Sequence, residues 1–170
     1  MSASTGPSSP PVAATATMRI RAMHAADLPA VYGLEVLGQP VPWSKSFFRR
    51  VLRQGASCWV LERDGEIFGF GIISFADSWA HIMNMAVAPA YRRRGLGRRM
   101  LLHLLRVAKQ HGCRRVSLEV RPTNQAAVSL YRQLRFRLRA IHKHYYPTRG
   151  RRQDALILAR SLRFYVALGG

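Results

Sequence analysis

The sequence predicts an α/β fold, a single domain with a mixed sheet of about seven strands flanked by helices on both faces. Three observations carry this. Short alternating or apolar runs, bounded by turn residues, recur along the chain as strands. Between them lie segments with apolar residues at helical spacing and capping residues at their starts. The resulting order, β-α-α-β-β-β-α-β-α-β-β, joins a hairpin to strands separated by helices, so parallel and antiparallel pairs must share one sheet.

The first strand is "MRIRAM" from Met18, in which Met, Ile and Ala alternate with Arg as on an edge strand. Asp27 is placed as the N-cap of a helix with Leu28, Val31, Tyr32 and Leu34 at helical spacing. Ser44 caps a second helix with the stripe Phe47, Phe48, Val51 and Leu52, and Gly55 stops it. "SCWVLERDGEIFGFGIIS" reads as a hairpin about Asp64-Gly65, a pair that tolerates the positive φ angles of a tight turn. "HIMNMAVAP" is a strand ended by Pro89. The next helix runs from about Gly95 to Gln110, buries Leu96, Met100, Leu101, Leu104, Leu105 and Ala108, and closes at His111-Gly112. In "RRVSLEVR", Val116, Leu118 and Val120 share one face of a strand, and Ser117 and Glu119 point to the other. Asn124 caps a short helix carrying Val128, Leu130, Tyr131 and Leu134. Strands near Arg137–Tyr145 and Asp154–Arg160 complete the set. One domain over residues 18–162 is expected, with tails at 1–17 and 163–170.

The N-terminal stretch "MSASTGPSSPPVAATAT" is uncharged and rich in Ser, Thr, Ala and Pro, the composition of a disordered tail. It lacks the basic start and apolar centre of a secretory signal; Met18 as the true start is the alternative. No apolar run approaches the roughly 18 to 20 residues that span a bilayer, so no membrane association is expected. The chain carries 27 basic against 8 acidic residues, a formal charge of +19, and all the basic residues except Lys45, Lys109 and Lys143 are arginine. Planar guanidinium forks suit bidentate phosphate contacts, which suggests a ribosome, RNA or polyphosphate partner; GC-rich coding bias explains the same excess. Cys58 and Cys113 form neither a CxxC pair nor a framework and read as two buried thiols in a cytoplasmic protein. The histidines lack zinc-type spacing, and no metal is expected.

"YRRRGLGRRMLLHLL", Tyr91 to Leu105, follows a strand and opens a helix. Backbone N–H groups at a helix start are unpaired and the dipole favours negative charge there, so this is the geometry of an anion site. Gly95 and Gly97 let phosphate oxygens approach the backbone, and flanking arginines add charge-assisted contacts. It is neither a Walker loop nor a GxGxxG fingerprint. On these grounds a phosphate cradle competes with an ordinary basic helix start.

"RRRGLG" (Arg92–Gly97), with "MAVAPAY" before it and "SLEVRPTNQAAVSLYRQLRF" after it, resembles the R/Q-x-x-G-x-G/A region of the GCN5-related N-acetyltransferase (GNAT) superfamily, which binds acetyl-coenzyme A (acetyl-CoA). "PWS" (Pro42–Ser44) and "YYPTRGRRQDALILA" (Tyr145–Ala159) are similar to the RimI-type ribosomal-protein alanine N-acetyltransferases. The resemblance implies a GNAT fold over about residues 18–162 and acetyl transfer to a protein N-terminus, that of a small-subunit ribosomal protein. It assigns cofactor binding to Met85, Ala86 and Val87 at the end of a splayed strand, to Arg93, Arg94, Gly95, Leu96, Gly97 and Arg98 in the loop, and to Asn124. It assigns Glu119 as general base and Tyr131 as the acid that protonates the leaving thiolate. Trp43, Tyr145 and Tyr146 match the lining of the peptide groove.

Each assignment has a plainer competitor. Asn124 is also a good N-cap. Glu119, the sole acid between Asp77 and Asp154, is by default a salt-bridge partner. Tyr131 suits a core aromatic, and the three groove residues suit packing. Two departures from the family pattern stand out: Arg135 where glycine often ends the helix, and Gln153 where relatives often carry Glu. A relative acting on lysine side chains or small amines, and a non-catalytic RNA- or ribosome-binding protein, are the competing functions.

Overall fold

The computed structural model describes residues 18–148 and 150–162. The tails expected at 1–17 and 163–170 lie outside the described residues. Seven strands form one sheet in the order β1-β2-β3-β4-β5-β7-β6. They are β1 (Arg19–Ala22), β2 (Ser57–Arg63), β3 (Glu66–Ala76), β4 (Trp79–Val87), β5 (Arg115–Val120), β6 (Arg137–Tyr146) and β7 (Gln153–Ser161). Every neighbouring pair is antiparallel except β4 with β5. The helices are α1 (Leu28–Gly38), α2 (Lys45–Arg53), α3 (Leu96–Gln110) and α4 (Gln125–Gln133).

Local chemistry sets most boundaries. Ser44 Oγ accepts the Phe47 N–H at 3.2 Å, and Asn124 Oδ1 accepts that of Ala127 at 3.2 Å, each satisfying an orphan donor of its helix. Asp64 (φ 54°) and Gly65 (φ 79°) make the tight turn between β2 and β3. Asp27 stands at the expected N-cap position of α1 but departs from expectation in its bonding. It ends a short 3₁₀ turn, Ala25–Asp27, and its side chain does not cap α1. Its Oδ2 instead accepts the His24 N–H at 2.7 Å, and both its oxygens pair with Arg21. Nearby charge decides its use: Arg21 also holds Glu62, which Arg19 grips from the other side, tying edge strand β1 to β2.

Two apolar cores lie on opposite faces of the sheet. One gathers Met100, Leu101 and Leu104 of α3, Val128 and Tyr131 of α4, and Val116 and Leu118 of β5. The other joins Val31 and Leu34 of α1, Phe48 and Val51 of α2, and Phe70 and Ile72 of β3. Gly71 lets α3 seat against the sheet, because a Cβ there would stand 2.9 Å from Leu104 Cδ1 and 3.0 Å from Met100.

Arg135 stands where glycine often ends this helix, a replacement that would lead the end of α4 to differ from the glycine form. It does not differ. Arg135 itself takes the left-handed conformation (φ 65°). Arg135 N–H donates to Arg132 C=O at 2.9 Å and Phe136 N–H to Tyr131 C=O at 3.0 Å, the pair of bonds that defines a Schellman cap. Phe136, fully buried against the first core, holds the geometry in place of glycine.

Candidate active site

The β4–β5 ladder runs only from Trp79↔Arg115 to Ile82↔Leu118. Beyond it β4 continues to pair with β3 as far as Val87, and β5 with β7 as far as Val120, so the two strands part. The cause is local. The β3–β4 register steps from Ile73↔Ile82 to Ile72↔Asn84, leaving Met83 as an inserted residue where the strands separate. The β4 segment holding Met85, Ala86 and Val87 thus borders a gap on the β5 side. Of these, Val87 is partly committed: its C=O accepts Arg92 Nε–H at 3.1 Å. Arg92, first residue of the glycine motif, therefore braces the loop against β4.

The glycine loop runs from a short 3₁₀ turn, Pro89–Tyr91, into α3. Arg93 (φ 61°) and Gly95 (φ 77°) are both left-handed, and no atom lies within 4 Å of where a Gly95 Cβ would stand. The first bond of α3 is Arg99 N–H to Gly95 C=O, 2.9 Å. The amides of Leu96, Gly97 and Arg98 precede it and have no acceptor in the helix. Arg93 and Arg98 are exposed and, among the described residues, make no hydrogen bond or ion pair, whereas Arg94 lies over the Tyr91 ring at 5.4 Å. An open, basic concavity with unpaired amides beside a parted sheet fits the diphosphate and pantetheine arm of a coenzyme A thioester.

Glu119 lies on the face opposite Leu118 and Val120, as the alternation of β5 predicts. Its side chain is about one-fifth exposed. Despite the arginine excess it pairs with a histidine: Glu119 Oε2 lies 3.0 Å from His81 Nε2. His81 Nδ1 is in turn 3.2 Å from Ser117 Oγ. Such a partner is charged only when protonated, so it orients the carboxylate without the fixed positive charge of a guanidinium. Tyr131 comes from the other side of the sheet, within the α3–α4 core. Its residue exposure is 7%, and burial pushes its phenol up to about 12.

Tyr146 lies close enough to Glu119 and Tyr131 for both to raise its pKa, beneath the dominant effect of its burial. Burial first, then Glu119, raises Tyr145 likewise. The two rings meet edge to face at 4.9 Å. Trp43 belongs to a different contact group: its ring packs on Phe47 (4.5 Å) and Phe48 (5.4 Å) by α2. Asn124 performs the capping role, with Oδ1 on Ala127.

Three participants were not singled out in the sequence. His81 is one. Another is Glu35 of α1, 1% exposed, which accepts Trp43 N–H and Asn84 Nδ2–H, both at 3.0 Å, and so ties the α1–α2 loop to β4. Burial raises its pKa against the pull of those two donors. The third is Arg121, which donates to Gln153 Oε1 at 3.0 Å and covers the Tyr146 ring at 4.1 Å, while its Nε is buried without a partner. The Glu more usual at position 153 would neutralise Arg121; glutamine leaves its charge in place. The Arg121–Gln153 contact was the one with a signal in the sequence, since Gln153 stood out as a departure.

A gap in a mixed sheet, a glycine loop at a helix start and a carboxylate near the phenols of Tyr145 and Tyr146 are features suited to acyl transfer from a coenzyme thioester. The sequence profile of the acetyltransferase (GNAT) family matches residues 22–136, and the chain belongs to that family. The ribosomal protein bS18-alanine N-acetyltransferase of Escherichia coli (strain K12) is 36% identical over 140 residues, covering 82% of this chain and 95% of its own. The protein of the same name from Haemophilus influenzae is 30% identical over 141 residues, covering 82% and 96%. The crystal structure of the ribosomal-protein-S18-alanine N-acetyltransferase from Escherichia coli has a TM-score of 0.82 to this fold at 33% identity, over 91% of this chain and 99% of that one. Arabidopsis thaliana NAA60 in complex with acetyl-CoA, at 21% identity, shares the fold with a TM-score of 0.76 over 86% and 99% of the chains.

Proposed function

We propose that this chain transfers an acetyl group from acetyl-CoA to the N-terminal amine of a protein, the N-terminal alanine of a ribosomal protein of the bS18 type. The observation that supports this most is the parting of β4 from β5 beside the glycine loop, with Glu119 on one face of β5 and Tyr131 in the core against the other. Acetyl-CoA, when bound, supplies the acetyl group on a thiol leaving group. The amides of Leu96, Gly97 and Arg98, with Arg93 and Arg98 side chains, hold its diphosphate. The free β4 edge at Met85 and Ala86 offers backbone hydrogen bonds along the gap. Glu119 takes the proton of the incoming ammonium on a carboxylate oxygen, oriented by His81. Tyr131 Oη presents a proton on the other side. Tyr145 and Tyr146 wall the acceptor side, and Trp43 fixes the α1–α2 loop through its backbone bond to Glu35. No helix among the described residues is long and apolar enough to cross a membrane; work in the cytoplasm follows from this acceptor.

Mass spectrometry of a ribosomal-protein fraction incubated with isotope-labelled acetyl-CoA tests the reading. Label on an N-terminal alanine is expected. Label confined to lysine side chains or free amines overturns it.

A further inference from the structure

Between β1 and the solvent face of α3 lies an open cleft of about 780 Å³, lined chiefly by Arg19, Arg98, Arg99, Leu102, His103 and Arg106. It touches the glycine loop only at Gly95 and Arg98. β1 is three strands from β4, about 14 Å at the usual strand spacing, so the cleft lies apart from the β4–β5 gap.

Of the cleft's arginines only Arg19 is paired with an acid among the described residues. Glu62, the acid beside it, is taken up by Arg19 and Arg21. Arg99 spends one N–H on the Met18 carbonyl, which leaves its charge intact. Arg98 and Arg106 are exposed and, among the described residues, make no hydrogen bond or ion pair. His103 Nε2 is buried without a partner, and burial and Arg106 both lower the pKa of this imidazole. Arg99 and Arg106, neither of them assigned to the coenzyme, are seven residues apart on one face of the helix, about 10 Å along its axis. A single phosphate is far too small to engage both, whereas a chain of phosphates at regular intervals fits them.

We propose that this cleft binds the phosphate backbone of RNA. Guanidinium forks favour phosphate over the scattered carboxylates of an acidic protein, and a long row of cations facing no acid is the usual footprint of nucleic-acid binding. The choice of RNA over other polyanions rests on the ribosomal-protein acceptor proposed above. The cleft would hold the enzyme near its acceptor while the gap does the chemistry.

The test compares two variants of equal charge. Arg99→Gln/Arg106→Gln empties the cleft of two cations that have no part in the proposed catalytic site. Arg49→Gln/Arg53→Gln removes two exposed arginines from α2. Affinity for a labelled single-stranded RNA is measured from about 50 to 200 mM salt, with thermal unfolding to confirm that both variants fold. The slope of log K against log salt is expected to flatten by about 1.4 in the cleft variant, 0.7 for each lost phosphate contact, and to stay near wild type in the α2 variant. Acetylation of a free peptide stays unchanged in both. Equal flattening in the two variants shows only general charge and overturns the proposal. So does a slope unaffected by the cleft, a raised KM for acetyl-CoA as the main effect, or binding to anionic lipid vesicles in place of RNA. Loss of peptide acetylation with RNA binding intact would instead count against the catalytic reading.

Discussion

Replacing Tyr131 by phenylalanine removes one hydroxyl from a site where burial has already set its chemistry. The phenol is pushed up to about 12, whereas a thiol of ordinary acidity titrates near 8.5. Complete proton transfer from Tyr131 to a free thiolate is therefore uphill by about 3.5 pKa units, close to 5 kcal/mol. The hydroxyl serves best as a hydrogen-bond donor to charge developing on sulfur, and its loss resembles that of one oxyanion-hole donor. The Phe variant is expected to lose about 10²- to 10³-fold in kcat, roughly 3 to 4 kcal/mol, with little change in KM. The phenol stays protonated across the workable pH range, so the pH–rate profile of the variant should run parallel to that of wild type. Thiol release followed by a chromogenic reagent between about pH 6 and 10 reads both quantities. An alkaline limb below pH 10 that vanishes in the variant would refute the burial argument. A smaller loss than that of Tyr146→Phe would give the donor role to Tyr146.

Other outcomes follow from the same geometry. Glu119→Gln, which retains an acceptor for His81, lowers kcat/KM for peptide acetylation by about 10²- to 10⁴-fold; full turnover across pH would remove Glu119 from the mechanism. Arg135→Gly relieves a left-handed arginine at some cost in unfolded-state entropy, for a net gain of about 0.5 to 1 kcal/mol and a Tm rise of about 1 to 4 °C; unchanged thermal unfolding contradicts the strain. For Glu35, burial raises the folded pKa above the unfolded value of 4.5, so the folded state binds its proton more tightly. The stability this contributes is present below about pH 4.5 and is lost as pH rises through the raised folded value. Glu35→Gln should abolish that slope in denaturant unfolding, and an unchanged wild-type-minus-variant difference across the window refutes it.

Features governed by neighbours in the chain were legible in the sequence. Ser44, Asn124, Asp64-Gly65 and Gly95 act through bonds or φ angles within a few residues, and each was placed correctly. The alternation of "RRVSLEVR" likewise put Glu119 on the face opposite Leu118. Asp27 holds the expected N-cap position of α1, but its side chain is drawn to Arg21, whose other partner, Glu62, lies in another strand. The Glu119–His81 and Glu35–Asn84 contacts depend on strand register and on helix placement over the sheet, neither of which composition or period encodes. Arg135 shows the opposite conflict: local preference argued against a left-handed cap, and burial of Phe136 overrode it. Arg92 had only the first position of the glycine motif and no task; it serves as a strut, since only the fold brings Val87 C=O within its reach.

The four-pair ladder between β4 and β5 has a mechanical consequence. Among the described residues it is the only β-ladder joining the β1–β4 half of the sheet to the β5–β7 half, so the fold resembles a half-open book bound along a short spine. A molecule lying between the pages supplies contacts that strand pairing would otherwise have made. On the function proposed above, the coenzyme would be a structural member as well as a reactant. At a hundredfold excess over its Kd such a ligand would add about 2.7 kcal/mol to the stability of the fold, and its release would loosen the book.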